Sequence, residues 1–127
     1  MTYLATSINE SPVITDKAAA TIADVRGKAV KFSDGKIALA GAGEVVIGVG
    51  IMTNDVGIAA GADVDIQVKD IGLVCAGGAI TKGAELAADA NGKFVAAAEG
   101  DYVAAIALDD AAAADVYVKA RLVGYKK

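Results

Sequence analysis

The chain has 127 residues, a formal net charge of −4 and a composition that is 55% hydrophobic, with alanine the most frequent residue type. This length is typical of one domain with one modest core. Histidine is absent and Cys75 is the single cysteine, which excludes Ser-His and Cys-His catalytic pairs, ordinary zinc sites and an internal disulfide. The sequence therefore predicts no catalytic residue, no metal centre and no cofactor.

The distribution of charge and hydrophobicity excludes two classes of partner. The basic residues are scattered apart from the terminal pair Lys126-Lys127, so the basic patch of a nucleic-acid-binding protein is missing. No apolar run approaches the roughly 20 residues of a membrane-spanning helix, and the first residues lack the pattern of a signal peptide. We expect neither a nucleic acid nor a membrane as partner. The apolar neighbours of Cys75 predict a buried, unreactive thiol in a reducing compartment.

The first 24 residues differ from the rest of the chain. They contain the only proline, Pro12, and many polar side chains, and they share no motif with the later sequence. Chain ends of this kind are seldom part of the packed core. The sequence therefore predicts an extended N-terminal arm over residues 1–24, followed by a single β domain over residues 25–127.

The predicted β domain contains an internal repeat. Three short motifs recur in the same order, namely 35–37 as 92–94, 43–46 as 100–103, and 62–66 as 114–118. The last pair has a shorter spacing, so the first copy has the longer connection, between Met52 and Gly61. The repeat predicts two related β-units, residues 27–68 and 83–122, joined by a middle segment.

Within each unit the pattern of apolar residues predicts strands. Apolar and polar residues alternate over 63–69 and again over 115–122, which is the period of a half-buried strand. The apolar run 45–51 predicts a strand that is covered on both faces. Asp-Gly at 34–35 and Asn-Gly at 91–92 predict tight hairpin turns. The expected fold class is mainly β: a small β-barrel or β-clip-like domain with little helix.

Two pairs of carboxylates are the candidates for cation binding. Asp63 and Asp65 point to the same face of their predicted strand, and Asp109 is adjacent to Asp110. Calcium prefers six or more oxygen ligands. We therefore interpret both pairs as solvated groups.

The second unit carries an apolar stretch around a central glycine at 79–86, an acidic–x–Asn–Gly–Lys turn at 89–93 and a strand at 102–108. An Ala-rich loop at 111–114 and a closing strand at 115–122 follow. This arrangement resembles the small phage capsid cement proteins, or head decoration proteins, of prophage head-gene clusters. The resemblance extends over residues 27–123 and concerns the pattern and the placement of turns rather than a chemical motif.

The resemblance implies a non-enzymatic structural protein of the virion. Such a protein is made in the bacterial host cytoplasm and binds the exterior of an assembled capsid, so its partner is the major capsid protein. By analogy with lambda-type head decoration proteins, we expect a homo-oligomer, with a trimer favoured.

The predicted arm is the candidate for capsid contact, because an extended segment can add a strand to an exposed sheet edge. The candidate capsid-binding residues are its apolar side chains, Tyr3, Leu4, Ile8, Val13 and Ile14. Contacts between subunits are assigned to charged strand faces, with Asp63, Asp65, Lys119 and Arg121 as the candidates.

Three alternatives remain open. The main one is a β-barrel module that binds a small ligand or a glycan without catalysis, although two Phe and four Tyr offer little surface for stacking on a sugar. A hydrolase would need two carboxylates across a cleft, and the pattern places none there. A carrier domain would modify Lys36 or Lys93 at a hairpin tip, but the acidic and methionine neighbours of such lysines are absent.

Overall fold

The computed structural model describes residues 11–127, and in this part of the chain all regular secondary structure is β-strand. The ten strands are β1 (Val13–Lys17), β2 (Ala29–Ser33), β3 (Lys36–Leu39), β4 (Gly48–Gly50), β5 (Asp63–Gln67), β6 (Ile71–Cys75), β7 (Glu85–Ala88), β8 (Phe94–Ala96), β9 (Tyr102–Ala107) and β10 (Tyr117–Lys126). The predicted mainly β class with two related units is confirmed.

The strands form two antiparallel sheets with the same topology. The first sheet has the order β1-β5-β4-β2-β3 and the second has the order β6-β10-β9-β7-β8. In each sheet the two edges meet at one parallel bridge, Ala18 with Ile37 in the first and Ala76 with Phe94 in the second. Among residues 11–127 no continuous ladder closes either sheet, so each one is an incompletely closed barrel. The first unit is therefore residues 13–67, and the second unit is residues 71–126.

The N-terminal boundary differs from the predicted arm. Val13–Lys17 pair with β5 along their whole length, and Ala18 and Ile22 are buried in the core. β1 flanks β5 as β6 flanks β10, so residues 13–24 belong to the first unit and the middle segment belongs to the second. The physical reason is that the inward side chains of β5 need a neighbouring strand to exclude water.

Two local predictions also differ from the structure. The apolar run 45–51 yields only the short strand β4, and Val45 is 62% exposed. The predicted Asp-Gly turn is present, with φ of 51° at Asp34 and 75° at Gly35. The second hairpin has a longer loop instead, because the Asp89 carboxylate accepts hydrogen bonds from two backbone N–H groups of that loop.

The core has two parts that meet at the junction of the units. One cluster lies inside the first unit, and the other fills the second unit and includes Ala29, Ala40, Val46 and Val49 of the first. Backbone hydrogen bonds cross the junction from Cys75 N–H to the Gly27 carbonyl and from Tyr102 N–H to the Gly43 carbonyl. Cys75 is buried, as predicted.

Candidate interaction surfaces

The predicted capsid-binding residues fall in two regions. Tyr3, Leu4 and Ile8 lie outside the described residues. Val13 and Ile14 lie in the edge strand β1, where Val13 pairs with Gln67 and Ile14 is 36% exposed. The described chain therefore enters the fold at a sheet edge, where the Val68 N–H donates to the Pro12 carbonyl.

Asp63 and Asp65 lie on the outward side of β5, opposite Lys17 and Thr15 of β1. The Lys17 ammonium donates to Asp63, at 2.5 Å from Nζ to Oδ1, and the Thr15 hydroxyl donates to the Asp65 carboxylate. The hydrogen bond with Asp63 raises the pKa of Lys17. The Asp63 side chain is 62% exposed, so this ion pair is in contact with water and contributes little to stability.

The long connection between β4 and β5 extends this surface. Asn54 Nδ2 donates to the carbonyls of Ile51 and Asp65, and Asn54 Oδ1 accepts from the Asp65 N–H. The buried Asn54 thus holds the loop against β5 beyond the end of β4, and the loop exposes Asp55 and Val56. We term Asp55, Val56, Asp63 and Asp65 the acidic face.

The other two predicted subunit-contact residues lie on β10. The register places Lys119 beside Leu73 and Arg121 beside Ile71. All four side chains point outward, and Leu73 is 41% and Ile71 57% exposed. Within residues 11–127 no carboxylate pairs with Lys119 or Arg121, although ion pairs hold Lys17, Arg26, Lys31, Lys93 and Lys127. We term Ile71, Leu73, Lys119 and Arg121 the basic face.

An apolar groove at the junction of the units adjoins the basic face. Its volume is about 410 Å³, and its walls are residues 49–52 of the first unit and residues 71–73 of the second. Lys119 is the charged side chain at its rim, and Met52 is 37% exposed there. A groove of this composition fits an apolar side chain with a carboxylate beside it.

A second exposed apolar patch lies on the first unit. Phe32 is 48% and Val45 is 62% exposed, and they line a shallow depression with Lys31 and Glu44. The Lys31 ammonium donates to the Glu44 carboxylate, which lowers the pKa of Glu44.

The equivalent strand positions in the second unit are Ala88 and Tyr102, and these contact Gly43 of the first unit through their backbones. Phe32 and Val45 therefore lie in the first unit at the positions that, in the second unit, contact the first unit.

The structure offers little for the other chemical interpretations. Burial raises the pKa of the Cys75 thiol, which leaves it protonated and unreactive at neutral pH. Residues 11–127 contain no group of three acidic or cysteine side chains that could hold a metal ion, and no helix that could span a membrane. Lys93 is 2.6 Å from the Asp115 carboxylate, so the two hairpin lysines are not equivalent.

Sequence reasoning missed the groove and the patch at Phe32 and Val45. The alternation of Ile71 and Leu73 with the buried Gly72 and Val74 was the available signal for an apolar outward face. That signal identifies only one wall of the groove, because the other wall, residues 49–52, comes from the first unit.

Comparison with known proteins identifies the family. A search of curated proteins gives no match. A family model described as phage cement protein matches residues 8–122. The chain belongs to the phage cement protein family. This confirms the resemblance that the sequence indicated, and it extends that resemblance to residues before the repeat.

A solved structure supports the same fold. The crystal structure of the head fiber gp8.5 N base in bacteriophage phi29 matches with a TM-score of 0.66 at 20% identity. The match covers 87% of this chain and 92% of that chain. The cement protein is therefore a phage structural protein, and its family suggests a structural rather than a catalytic role.

Proposed function

We propose that this cement protein binds the outer surface of an assembled phage capsid and stabilises it without catalysis. The match to the phage cement family over residues 8–122 carries the proposal. The partner is the major capsid protein. The protein is synthesised in the bacterial host cytoplasm and resides on the exterior of the virion.

Stabilisation follows from linkage between binding and assembly. A protein that binds the assembled shell and not the free subunits stabilises the shell by RT ln(1 + [L]/Kd), or about 2.7 kcal/mol per site at 100 times Kd. Contacts that bridge neighbouring capsid subunits add avidity, because many copies act on one lattice. The exposed apolar side chains described above supply surface for such contacts.

The proposed capsid contact is the segment before β1. Tyr3, Leu4 and Ile8 are its apolar side chains, and Ile14 continues the surface onto β1. This segment joins the fold at a sheet edge, which suits recognition through strand addition. Val13 and Ile14 both pair with β5, Val13 with Gln67 and Ile14 with Ile66, so both are proposed as the part of the contact that lies on the sheet edge.

We further propose that the protein acts as a homotrimer. The chain exposes two faces of unlike charge and a groove with apolar walls, which are surfaces that contact between copies would bury. Cyclic assembly of identical chains is the common way to bury such surfaces.

Co-sedimentation with cognate capsids tests the function. Purified protein is mixed with procapsids and with expanded capsids that lack it. We expect saturable binding to expanded capsids and a higher melting temperature of the bound shell. Absence of binding to both shells contradicts the proposal and favours the ligand-binding module.

The role of the N-terminal segment is tested by matched variants that keep β1. Tyr3→Ser/Leu4→Ser/Ile8→Ser removes the apolar side chains, while Thr2→Ala/Ser7→Ala/Asn9→Ala alters the same number of polar positions. We expect at least tenfold weaker capsid binding for the first variant only, with an unchanged melting temperature of the free protein. Equal binding of both variants would refute the role of the segment.

A further inference from the structure

The acidic and basic faces occupy equivalent places in the two units. In the first unit Asp65 pairs with Thr15 across β5 and β1, and in the second unit Lys119 pairs with Leu73 across β10 and β6. The matching backbone bonds from Gly61 N–H to the Ala18 carbonyl and from Asp115 N–H to the Ala76 carbonyl align the two sheets. Asp65 and Lys119 are therefore equivalent residues of opposite charge, and the structural alignment differs by two residues from the match of 62–66 with 114–118 in the sequence. One chain therefore presents both halves of a complementary pair of surfaces.

The basic face lacks a partner of opposite charge within the described chain. Lys119 and Arg121 have no carboxylate partner there, although five other cations do. Ile71 and Leu73 expose apolar surface beside them, next to the apolar groove. A partner that covers this face must bring carboxylates together with an apolar side chain.

The acidic face has this composition. It carries three carboxylates, one of which, Asp63, is paired with Lys17. Val56, which is 62% exposed, stands next to Asp55 on the loop that Asn54 fixes. The position of this loop is set before any contact forms, so docking requires little ordering of the backbone. The acidic face therefore matches the basic face in charge, and Val56 supplies an apolar side chain for the groove.

We propose that the acidic face of one protomer docks on the basic face of a second copy, in a head-to-tail contact that places Val56 at the groove. The contact is heterologous, so it closes into a ring when the rotation between copies permits. Opposite charges guide the docking, and salt weakens it. The inference rests on the homo-oligomer proposed above and is independent of capsid binding.

Charge reversal with restoration tests the contact. Sedimentation equilibrium is measured for the full chain, for Lys119→Glu/Arg121→Glu, for Asp63→Lys/Asp65→Lys, and for the variant that combines all four substitutions. We expect each double variant to dissociate at protein concentrations at least tenfold higher than the full chain does. The fourfold variant exchanges the charges of the two faces and should recover the oligomer.

The control variant is Lys36→Glu/Lys126→Glu, which changes two exposed lysines outside both faces and should leave the oligomer intact. Circular dichroism confirms that each variant retains its β-structure. If the full chain is a monomer at all concentrations, the oligomer and this contact both fail. If the oligomer survives both double substitutions, the contact alone is wrong. Capsid co-sedimentation reports separately on the proposed function.

Discussion

The two units share a topology but fill their cores differently. The first unit is packed with residues of intermediate size, among them Ile37, Ile58 and Ile66. At the equivalent strand and bridge positions the second unit has Phe94, Ala111 and Ala120. One large aromatic ring among alanines thus replaces several branched side chains. The same topology therefore accepts side chains of different size at equivalent core positions when the surrounding residues change with them.

Removal of the Phe94 ring should cost the protein the most stability. Phe94 has no exposed surface and is surrounded by small side chains that cannot fill the space it leaves. We expect Phe94→Ala to lower the free energy of unfolding by about 4 kcal/mol and Ile37→Ala by about 3 kcal/mol. Urea unfolding of both variants measures the difference. A larger loss for Ile37→Ala would show that the volume of the removed side chain does not determine the cost.

A second substitution tests whether the core of the second unit can be filled in the way the first unit is filled. Phe94→Ile makes the second unit resemble the first but removes side-chain volume from the core cluster that includes Ala120. Adding Ala120→Ile places an isoleucine where the first unit has Ile66, so we expect the double variant to be more stable than Phe94→Ile alone. The equivalent addition in the unaltered protein, Ala120→Ile with Phe94 retained, serves as the control and should destabilise by overpacking.

The units also differ in what their glycines touch. Gly27 and Gly83 lie at equivalent places, with φ of 70° and 90°. A Cβ on Gly27 would lie 2.7 Å from Tyr117 Cε1, whereas a Cβ on Gly83 meets nothing within 4 Å. Alanine in either place has the cost of a positive φ, but only Gly27→Ala also disturbs the junction of the units.

We therefore expect Gly83→Ala to cost about 1 kcal/mol and Gly27→Ala about 3 kcal/mol, the excess being the overpacking of the junction. Thermal unfolding of both variants provides the measurement. Equal losses would show that Tyr117 moves aside freely and that the junction is not tightly packed.

The sequence allowed the mainly β class and the duplicated unit to be predicted, because alternation and turn glycines are local signals. It did not reveal that β1 and β6 are equivalent, since Val-Ile-Thr-Asp-Lys and Ile-Gly-Leu-Val-Cys have little in common. The available signal was the shared spacing of Ala18 with Ile22 and of Ala76 with Ile80, four buried residues.

The charged candidates were identified from alternation, but their grouping was not. Asp63 and Asp65 lie on one strand, so their common face follows from the period of two. The position of the loop that carries Asp55 depends on the hydrogen bonds of Asn54 to Asp65, which link residues 11 apart across the connection between β4 and β5. Such contacts across a loop are not encoded in any local pattern.

The two units also differ in what their residues Gly43 and Gly100 contact. Gly43 of the first unit forms backbone hydrogen bonds with the second unit. The equivalent Gly100 of the second unit instead donates its N–H to the carbonyl of Lys127. Lys127 N–H also donates to the Asp101 carbonyl, and Tyr125 pairs with Val103. Residues 123–127 thus cover a surface of the second unit. The equivalent surface of the first unit is the one that contacts the second unit.

Removing residues 123–127 should therefore destabilise the protein by about 2 kcal/mol, from three or so backbone hydrogen bonds, and expose that surface. We expect the truncated chain to form larger assemblies than the full chain in size-exclusion chromatography, with Phe32 and Val45 as the complementary surface. Phe32→Ser/Val45→Ser in the truncated chain should return it to its original size. Unchanged assembly size on truncation would contradict the equivalence.

The same C-terminal contact should also depend weakly on pH. The Tyr125 hydroxyl and the Lys127 ammonium donate to Glu85, and these bonds lower the pKa of Glu85 below its ordinary 4.5. A carboxyl group with a lowered pKa stabilises the fold at pH above its unfolded value, and this contribution is lost as the pH falls through the folded pKa. The C-terminal residues should therefore loosen below about pH 4.5.

Amide hydrogen exchange of Gly100 and Lys127 measures this loosening, because their N–H groups bond across the contact. We expect their protection to fall on acidification in the full chain and to be low at both pH values in Glu85→Gln. Asp24→Asn is the matched control, since the hydrogen bond from Arg26 lowers the pKa of Asp24 in the first unit. Equal loss of protection at Gly100 in both variants would mean that acid acts on the whole fold rather than on the Glu85 contact.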